Sequence, residues 1–205
     1  TTNPSLMKLS GAKNYKKYSL KLLRTCTKKP ISLEVFADTF NQMEEQAYKI
    51  NSWGKNVYVK IPVINSRGHF SGKVINKLSG QGIKLNITAV YTVAQVRKIL
   101  KSINKNSKII ISIFAGRMGD VGKDPVPIIK ESVRLTRKMK KVEILWASTR
   151  EAYNYLQAKQ SGCQLITMPS TIIEKVSKFG KTYQELTLDT VKKFLKDSKD
   201  SNFKI

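Results

Sequence analysis

Short apolar runs rich in β-branched residues alternate along the chain with longer polar, amphipathic stretches. Six runs have the length of one buried strand, at residues 31–37, 56–63, 84–91, 108–116, 142–148 and 164–169. Stretches of helical length and spacing lie between them, for example at 39–53, 93–103 and 127–140. This alternation predicts an α/β fold of successive β-α-β units around a parallel sheet.

Periodicity alone does not distinguish a closed β/α barrel from an open, doubly wound sheet. The sequence has no glycine-rich dinucleotide turn after any predicted strand and no phosphate-loop motif. An open sheet would nevertheless accommodate six strands equally well. Both topologies are compatible with the pattern at this point.

The segment 182–198 predicts one more amphipathic helix. Its apolar positions are Leu186, Leu188, Val191, Phe194 and Leu195. This face would pack either on the same subunit or on a neighbouring one, and we expect a homo-oligomer.

Charge and length narrow the possible partners. The 205 residues include 38 Lys and Arg against 14 Asp and Glu, a net charge of +24 that favours anionic partners such as nucleic acid, membrane surfaces or phosphorylated metabolites. The basic residues are spread over predicted helices and loops, which is typical of solvated surface and disfavours nucleic acid. No apolar run approaches the ~20 residues of a membrane span, so no membrane association is expected.

The two cysteines, Cys26 and Cys163, have neither metal-site nor disulfide spacing. They indicate reduced thiols and a cytoplasmic protein, with no metal centre.

Polar residues interrupt the apolar strands near their C-terminal ends, where β/α enzymes build their sites. Lys60 lies inside the run 57–63, and such a lysine either extends to solvent or points its amine into a polar cavity, where it can attack a carbonyl. Position alone leaves a structural lysine as the alternative. Glu34 is the equivalent carboxylate of the first strand.

Polar residues on the next strands share faces by their two-residue spacing. Asn86 and Thr88 form one such pair, and Ser112 and Phe114 form another. Buried without partners, the polar groups would be costly, which indicates a cavity rather than an apolar core.

Two arginines and a hydroxyl follow neighbouring strands. Arg117 follows the fourth strand, and Ser148 and Arg150 follow the fifth. Such a set suits a phosphate, which arginine binds through paired hydrogen bonds. The alternative is ordinary salt bridges to Asp120, Glu151 or Glu174.

Five motifs in order resemble those of the transaldolase family, and the resemblance covers residues 1 to about 188. They are TTNPSL at 1–6, VKIPV at 59–63, LNITAVY at 85–91, IFAGR at 113–117 and ASTR at 147–150. The resemblance implies a (β/α)8 TIM barrel and, unlike the strand count, favours a barrel over an open sheet.

The resemblance also implies roles for individual residues. Lys60 would form a Schiff base with a ketose donor, while Glu34 and Thr88 would hold a catalytic water. The substrate-binding positions would be Asn3, Asn86, Ser112 and Phe114. The phosphate-binding positions would be Arg117, Ser148 and Arg150.

These roles imply a transaldolase of the pentose phosphate pathway, which moves a dihydroxyacetone unit between sugar phosphates without a cofactor. One alternative is a fructose 6-phosphate aldolase of the same family, although those enzymes carry Gln in place of Glu34 and Tyr in place of Phe114. Another is a non-catalytic, basic nucleic-acid-binding protein on the same scaffold.

One departure concerns the start of the chain. The family begins with a strand that bears an aspartate for proton transfer, and this strand is absent before TTNPSL. We therefore expect residues 1–205 to be a single barrel domain that is incomplete at its N-terminal side, with roughly two dozen further residues upstream, because an open barrel would expose strand edges.

Overall fold

A computed structural model describes residues 1–201, and its centre is a sheet of six parallel strands. The strands are β1 (Ile31–Glu34), β2 (Val57–Pro62), β3 (Leu85–Val90), β4 (Ile109–Ile113), β5 (Val142–Trp146) and β6 (Leu165–Ile166). Each falls inside one of the six predicted apolar runs, so the predicted α/β class is confirmed. Most of the strands end earlier than the runs do.

The helices lie between and around the strands. They are α1 (Pro4–Leu9), α2 (Tyr15–Thr25), α3 (Phe40–Asn51), α4 (Gly72–Gly80), α5 (Val93–Ser102), α6 (Ala115–Gly119), α7 (Val126–Thr136), α8 (Tyr153–Gln160), α9 (Ser170–Val176) and α10 (Tyr183–Ser201). The three predicted helical stretches correspond to α3, α5 and α7. Helix α5 begins with a capping box, because the Thr92 hydroxyl accepts from the Gln95 amide and the Gln95 side chain accepts from the Thr92 amide.

The strands are hydrogen-bonded in chain order from β1 to β6, with no reversal. A doubly wound sheet reverses its strand order at a switch point and carries helices on both faces. Here the buried helical side chains and one face of the sheet form a single large apolar core. The sheet is therefore a curled half-barrel, consistent with part of a TIM barrel.

The opposite face of the sheet carries a second, smaller apolar cluster to which the described helices contribute no buried residue. Its buried members are Tyr58, Ile110, Leu145 and Ala147. Polar side chains occupy the rest of this face, and strand register aligns them. Glu34 pairs with Lys60, and Lys60 pairs with Asn86. The sheet thus separates an apolar, helix-covered side from a polar side.

The predicted fourth strand was too long at its C-terminal end. β4 ends at Ile113, and Ala115 already begins α6. The apolar pattern runs on because Ala115 and Met118 are also buried, although as part of a helix.

Helix α10 confirms the predicted C-terminal helix, but none of its described side chains is buried. Its apolar face, which includes Leu188, Val191 and Leu195, is exposed and does not pack on its own subunit. Within residues 1–201, no helix combines the length and the apolar character needed to cross a membrane.

Leu→Ala substitutions in α4 and α10 form a matched test of this difference. Leu78 is fully buried, so Leu78→Ala is expected to lower the free energy of unfolding by about 2–5 kcal/mol. Leu188 is half exposed, and Leu188→Ala is expected to change it by less than about 0.5 kcal/mol in dilute solution. Urea denaturation measures both values. Equal losses would show that α10 packs on its own subunit, contrary to the structure.

Candidate functional site

A cavity of about 1050 Å³ opens at the C-terminal ends of the strands. Eight of the ten predicted site residues line it, namely Asn3, Lys60, Thr88, Ser112, Phe114, Arg117, Ser148 and Arg150. The other two, Glu34 and Asn86, lie directly behind this lining and contact Lys60 and Ser112 respectively. The structure therefore brings together all ten residues that the sequence singled out.

Lys60 is buried at the base of the cavity, and its side chain is only 7% exposed. Its Nζ lies 3.0 Å from Glu34 Oε2 and 3.3 Å from the carbonyl oxygen of Thr2. The pairing follows from the strand register, which sets Glu34 directly beside Lys60. Lys60 therefore does not extend to solvent, and its amine has a carboxylate within proton-transfer distance.

Tyr15 holds the backbone of Glu34, a contact that no sequence pattern predicts. Its hydroxyl donates a 2.9 Å hydrogen bond to the Glu34 carbonyl oxygen, and its ring packs against Phe36 and Trp53. Burial raises the pKa of Tyr15 to about 12, so it remains a neutral donor. Tyr15 lies in a lysine-rich segment with no pattern that predicts a contact with β1.

A buried chain of hydrogen bonds crosses three strands beside Lys60. Ser112 Oγ donates to Asn86 Oδ1 at 2.6 Å, and Asn86 Nδ2 donates to Ser32 Oγ at 2.9 Å. This network fixes the orientation of the Asn86 amide and holds both serines in place. Ser32 was missed, although its two-residue spacing from Glu34 places both on one face of β1.

Two further polar groups at the cavity have capacity for additional hydrogen bonds. Thr88 Oγ1 is fully buried and has no partner within residues 1–201. A buried hydroxyl without a partner indicates a position that suits a water or a ligand atom. Asn3 Oδ1 caps α1 by accepting from the Leu6 amide at 2.7 Å, which leaves the Asn3 side-chain NH2 outside the cap.

The two arginines lie together at the outer end of the cavity. The Arg117 guanidinium lies 5.4 Å from the centre of the Phe114 ring, and among the described residues it forms no salt bridge. Arg150 donates three hydrogen bonds of 2.6–3.0 Å to Asp120, while Glu151 and Glu174 do not pair with it. Arg150 thus forms the salt bridge to Asp120 that was the alternative to phosphate binding, and it also lines the cavity.

Gly116 allows the segments that carry these arginines to meet. A Cβ at Gly116 would lie 1.6 Å from the carbonyl oxygen of Ser148, so any other residue would collide with backbone. Ser148 itself has φ of +65°, an uncommon conformation for a residue with a side chain. This contact sets α6, which follows β4, against the loop that follows β5.

A sequence model of the family described as transaldolase/fructose-6-phosphate aldolase matches residues 1–205. The chain belongs to this transaldolase/fructose-6-phosphate aldolase family.

Individual relatives agree with this assignment. A protein of Thermoplasma volcanium named probable transaldolase is 33% identical over 97% of this chain and 84% of its own length. Another with that name, from Caldicellulosiruptor saccharolyticus, is 31% identical over 96% of this chain and 85% of its own length. A solved structure described as "Native KDPGal structure" is 11% identical, covers 82% of this chain and 79% of its own, and has a TM-score of 0.44, too low to support an argument.

Gly116→Ala is expected to disturb both stability and the cavity, because the added methyl group collides with the Ser148 backbone. We expect a loss of about 1–3 kcal/mol in unfolding free energy, the usual cost of overpacking. Gly119→Ala in the same helix is the control, since its Cβ would meet nothing within 4 Å. Thermal unfolding distinguishes the two, and equal behaviour would contradict the close approach of α6 to β5.

Proposed function

We propose that this chain is a transaldolase that transfers a dihydroxyacetone unit between sugar phosphates through a Schiff base on Lys60. The observation that carries the proposal is the buried Lys60–Glu34 pair at the base of a cavity whose outer end holds two arginines. This arrangement supplies an amine, a proton acceptor and a candidate anion site within one open cavity. The family and the names of the relatives support the same activity.

The first step joins Lys60 to the ketose. Glu34 accepts a proton from the Lys60 ammonium, and the neutral amine attacks the substrate carbonyl. Glu34 then returns this proton to the hydroxyl of the resulting carbinolamine, which leaves as water and gives a protonated imine. Glu34 and the Thr88 hydroxyl would hold a water molecule for the later hydrolysis, which is supported by the absence of a partner for Thr88 Oγ1 within residues 1–201.

The second step breaks the bond between C3 and C4 of the ketose. A base removes the proton of the C4 hydroxyl, the aldose phosphate departs, and the bonding electrons move into the iminium to form an enamine on Lys60. The enamine then attacks the aldehyde carbon of a second aldose phosphate. The iminium itself withdraws the electrons, so this route requires no metal or organic cofactor.

Binding is divided between the two ends of the cavity. Arg117, Ser148 and Arg150 would hold the phosphate, because guanidinium groups form strong, charge-assisted hydrogen bonds with phosphate oxygens. Asn3 and Ser112 would hold the donor's hydroxyls. The side-chain oxygen and nitrogen of Asn86 already form hydrogen bonds with Ser112 and Ser32. We therefore assign Asn86 two roles, binding the donor and orienting Ser112.

Glu34 and Phe114 favour the transferase over a direct aldolase of the same family, in which the resemblance puts Gln and Tyr at these positions. A phenol in place of Phe114 would add a polar group that can position water near the enamine. The Phe114 ring instead presents an apolar edge beside Arg117 and Tyr91. We infer that this favours transfer to a second sugar over release of free dihydroxyacetone.

The remaining expectations are proposals of the same kind. The unreversed strand order supports a sheet that follows the course of an eight-stranded barrel. The two free cysteines, Cys26 and Cys163, support a cytoplasmic enzyme. The exposed apolar face of α10 supports self-association. Helix α10 has equal numbers of acidic and basic residues, so two copies of this helix would not repel each other as the rest of a +24 chain would.

Lys60→Met is expected to abolish covalent capture of the donor while the protein stays folded, because Met approximates the length of Lys and lacks the amine. The measurement is borohydride reduction in the presence of fructose 6-phosphate, followed by mass spectrometry of peptides. Lys84→Met is the control: burial lowers the pKa of Lys84, which makes it the competing amine. A reducible adduct on Lys84, or one that survives Lys60→Met, would refute the proposed nucleophile.

Phe114→Tyr is expected to raise the release of free dihydroxyacetone relative to transfer, because the new hydroxyl can position a water at the enamine. The ratio of the two products, measured with fructose 6-phosphate and an aldehyde acceptor, checks this. Tyr91→Phe is a matched control, since it alters the neighbouring ring by a single hydroxyl. An unchanged product ratio in Phe114→Tyr would remove Phe114 as a determinant of the reaction outcome.

A further inference from the structure

Asp120 is an acidic residue at a site proposed to bind an anion, and the proposed function leaves it without a role. It lies at the C-terminal end of α6, three residues after Arg117. Its Oδ1 accepts from Arg150 Nε at 2.9 Å, and its Oδ2 accepts from Nε at 3.0 Å and from Nη2 at 2.6 Å. A carboxylate so close to an anion site would ordinarily weaken anion binding.

The geometry of this ion pair resolves the conflict. Asp120 engages the side of the guanidinium formed by Nε and Nη2. The opposite end, with Nη1 and the second hydrogen of Nη2, forms no hydrogen bond within residues 1–201. Guanidinium groups carry five N–H donors in a fixed plane, so one edge can bind a carboxylate while the other binds a phosphate. Arg150 lines the cavity and Asp120 does not.

Hydrogen bonds also hold the backbone of Arg150, whose side chain is 49% exposed. Asn154, which is buried, accepts with Oδ1 from the amides of Arg150 at 3.0 Å and Glu151 at 3.3 Å. Asn154 Nδ2 donates in turn to Gln157 at 2.9 Å. The Arg150 side chain, which has several rotatable bonds, is thus held at its backbone end and at its guanidinium end. This reduces the conformational entropy that binding would remove.

We propose that Asp120 is a positioning residue that holds Arg150 side-on, so that the free end of its guanidinium is aimed at the phosphate of a bound sugar phosphate. This inference rests on the proposed function for both the phosphate site and the identity of the sugar. The recognised group is a phosphate monoester dianion. Asp120 acts through Arg150 and makes no contact with the ligand.

The ionisation of the pair fits this role. The hydrogen bonds from Arg150 lower the pKa of Asp120, and Asp120 raises the pKa of Arg150. Both groups stay charged near neutral pH, and the pair together with Arg117 carries a net charge of +1. The excess positive charge therefore resides on Arg117, which has no carboxylate partner among the described residues.

The test is direct binding of inorganic phosphate and of fructose 6-phosphate to the full chain by titration calorimetry, in wild type, Asp120→Ala and Asp120→Asn. Asp120→Ala is expected to weaken both ligands about tenfold, a loss equivalent to one charge-assisted hydrogen bond. Asp120→Asn keeps one acceptor oxygen and should show a smaller loss. Binding that is unchanged or tighter in Asp120→Ala would overturn the proposal, because Asp120 would then be neutral or a competitor for Arg150.

Glu131→Ala is the control. Glu131 accepts side-on from Arg134 at 2.6 and 2.8 Å and also from Arg97 at 2.9 Å, on α7 and away from the cavity. We expect its phosphate affinity to stay within twofold of wild type. A tenfold loss in this variant as well would show that the effect is a general loss of charge or stability, and would refute a specific role for Asp120.

Kinetics separate positioning from structural damage. In Asp120→Ala the KM for fructose 6-phosphate should rise about tenfold while kcat changes less than twofold, and borohydride trapping of unphosphorylated dihydroxyacetone on Lys60 should be unaffected. Equal losses with both donors would overturn the inference. If no donor is trapped by the wild-type protein, the proposed function fails, while the phosphate titrations still decide the role of Asp120.

Discussion

A single buried charge pair constrains the whole structure. Lys60 and Glu34 lie side by side on adjacent strands, and removing either partner would leave an uncompensated charge in a largely dehydrated place. The neighbouring groups are arranged around this requirement. Tyr15 fixes the Glu34 backbone, and the serine–asparagine network supplies a polar wall on the far side of Lys60. The pair is therefore both the costliest feature of the sheet and the one with the clearest chemical use.

The two faces of the sheet have different surroundings, which allows the ion pair to lie outside the apolar core. Helices pack on one face, where the strands contribute fully buried residues such as Val59, Ile87 and Ile111. The other face holds the cavity. Because all six strands are parallel, the C-terminal end of every strand lies at the same rim. Side chains from five consecutive loops and strands can then converge on one ligand.

Much of the fold was accessible from the sequence because strand length and alternation are local properties. The six runs and the main helices are patterns of consecutive residues. The choice between barrel and open sheet depends on strand order, which periodicity does not encode. In the site as well, some residues could be predicted from a local pattern and others could not. Lys60 stood out as a charge in an apolar run, and Asp120 as a possible salt-bridge partner of the arginines. Tyr15, in contrast, contacts Glu34 from a distant segment and leaves no local pattern.

Successive side chains of β2 alternate between the two faces of the sheet, which limits the insertions and deletions that this strand can accept. Val59 and Ile61 enter the helix-covered core, and Lys60 between them enters the cavity. Shifting the strand by one position would exchange the two sets, sending the ammonium into hydrocarbon and two aliphatic side chains into the polar cavity. A substitution at a single position changes one side chain and leaves the others on their original faces. An inserted or deleted codon within this strand moves every side chain beyond it to the opposite face of the sheet. The β2 strand therefore tolerates length variation far less than surface loops do.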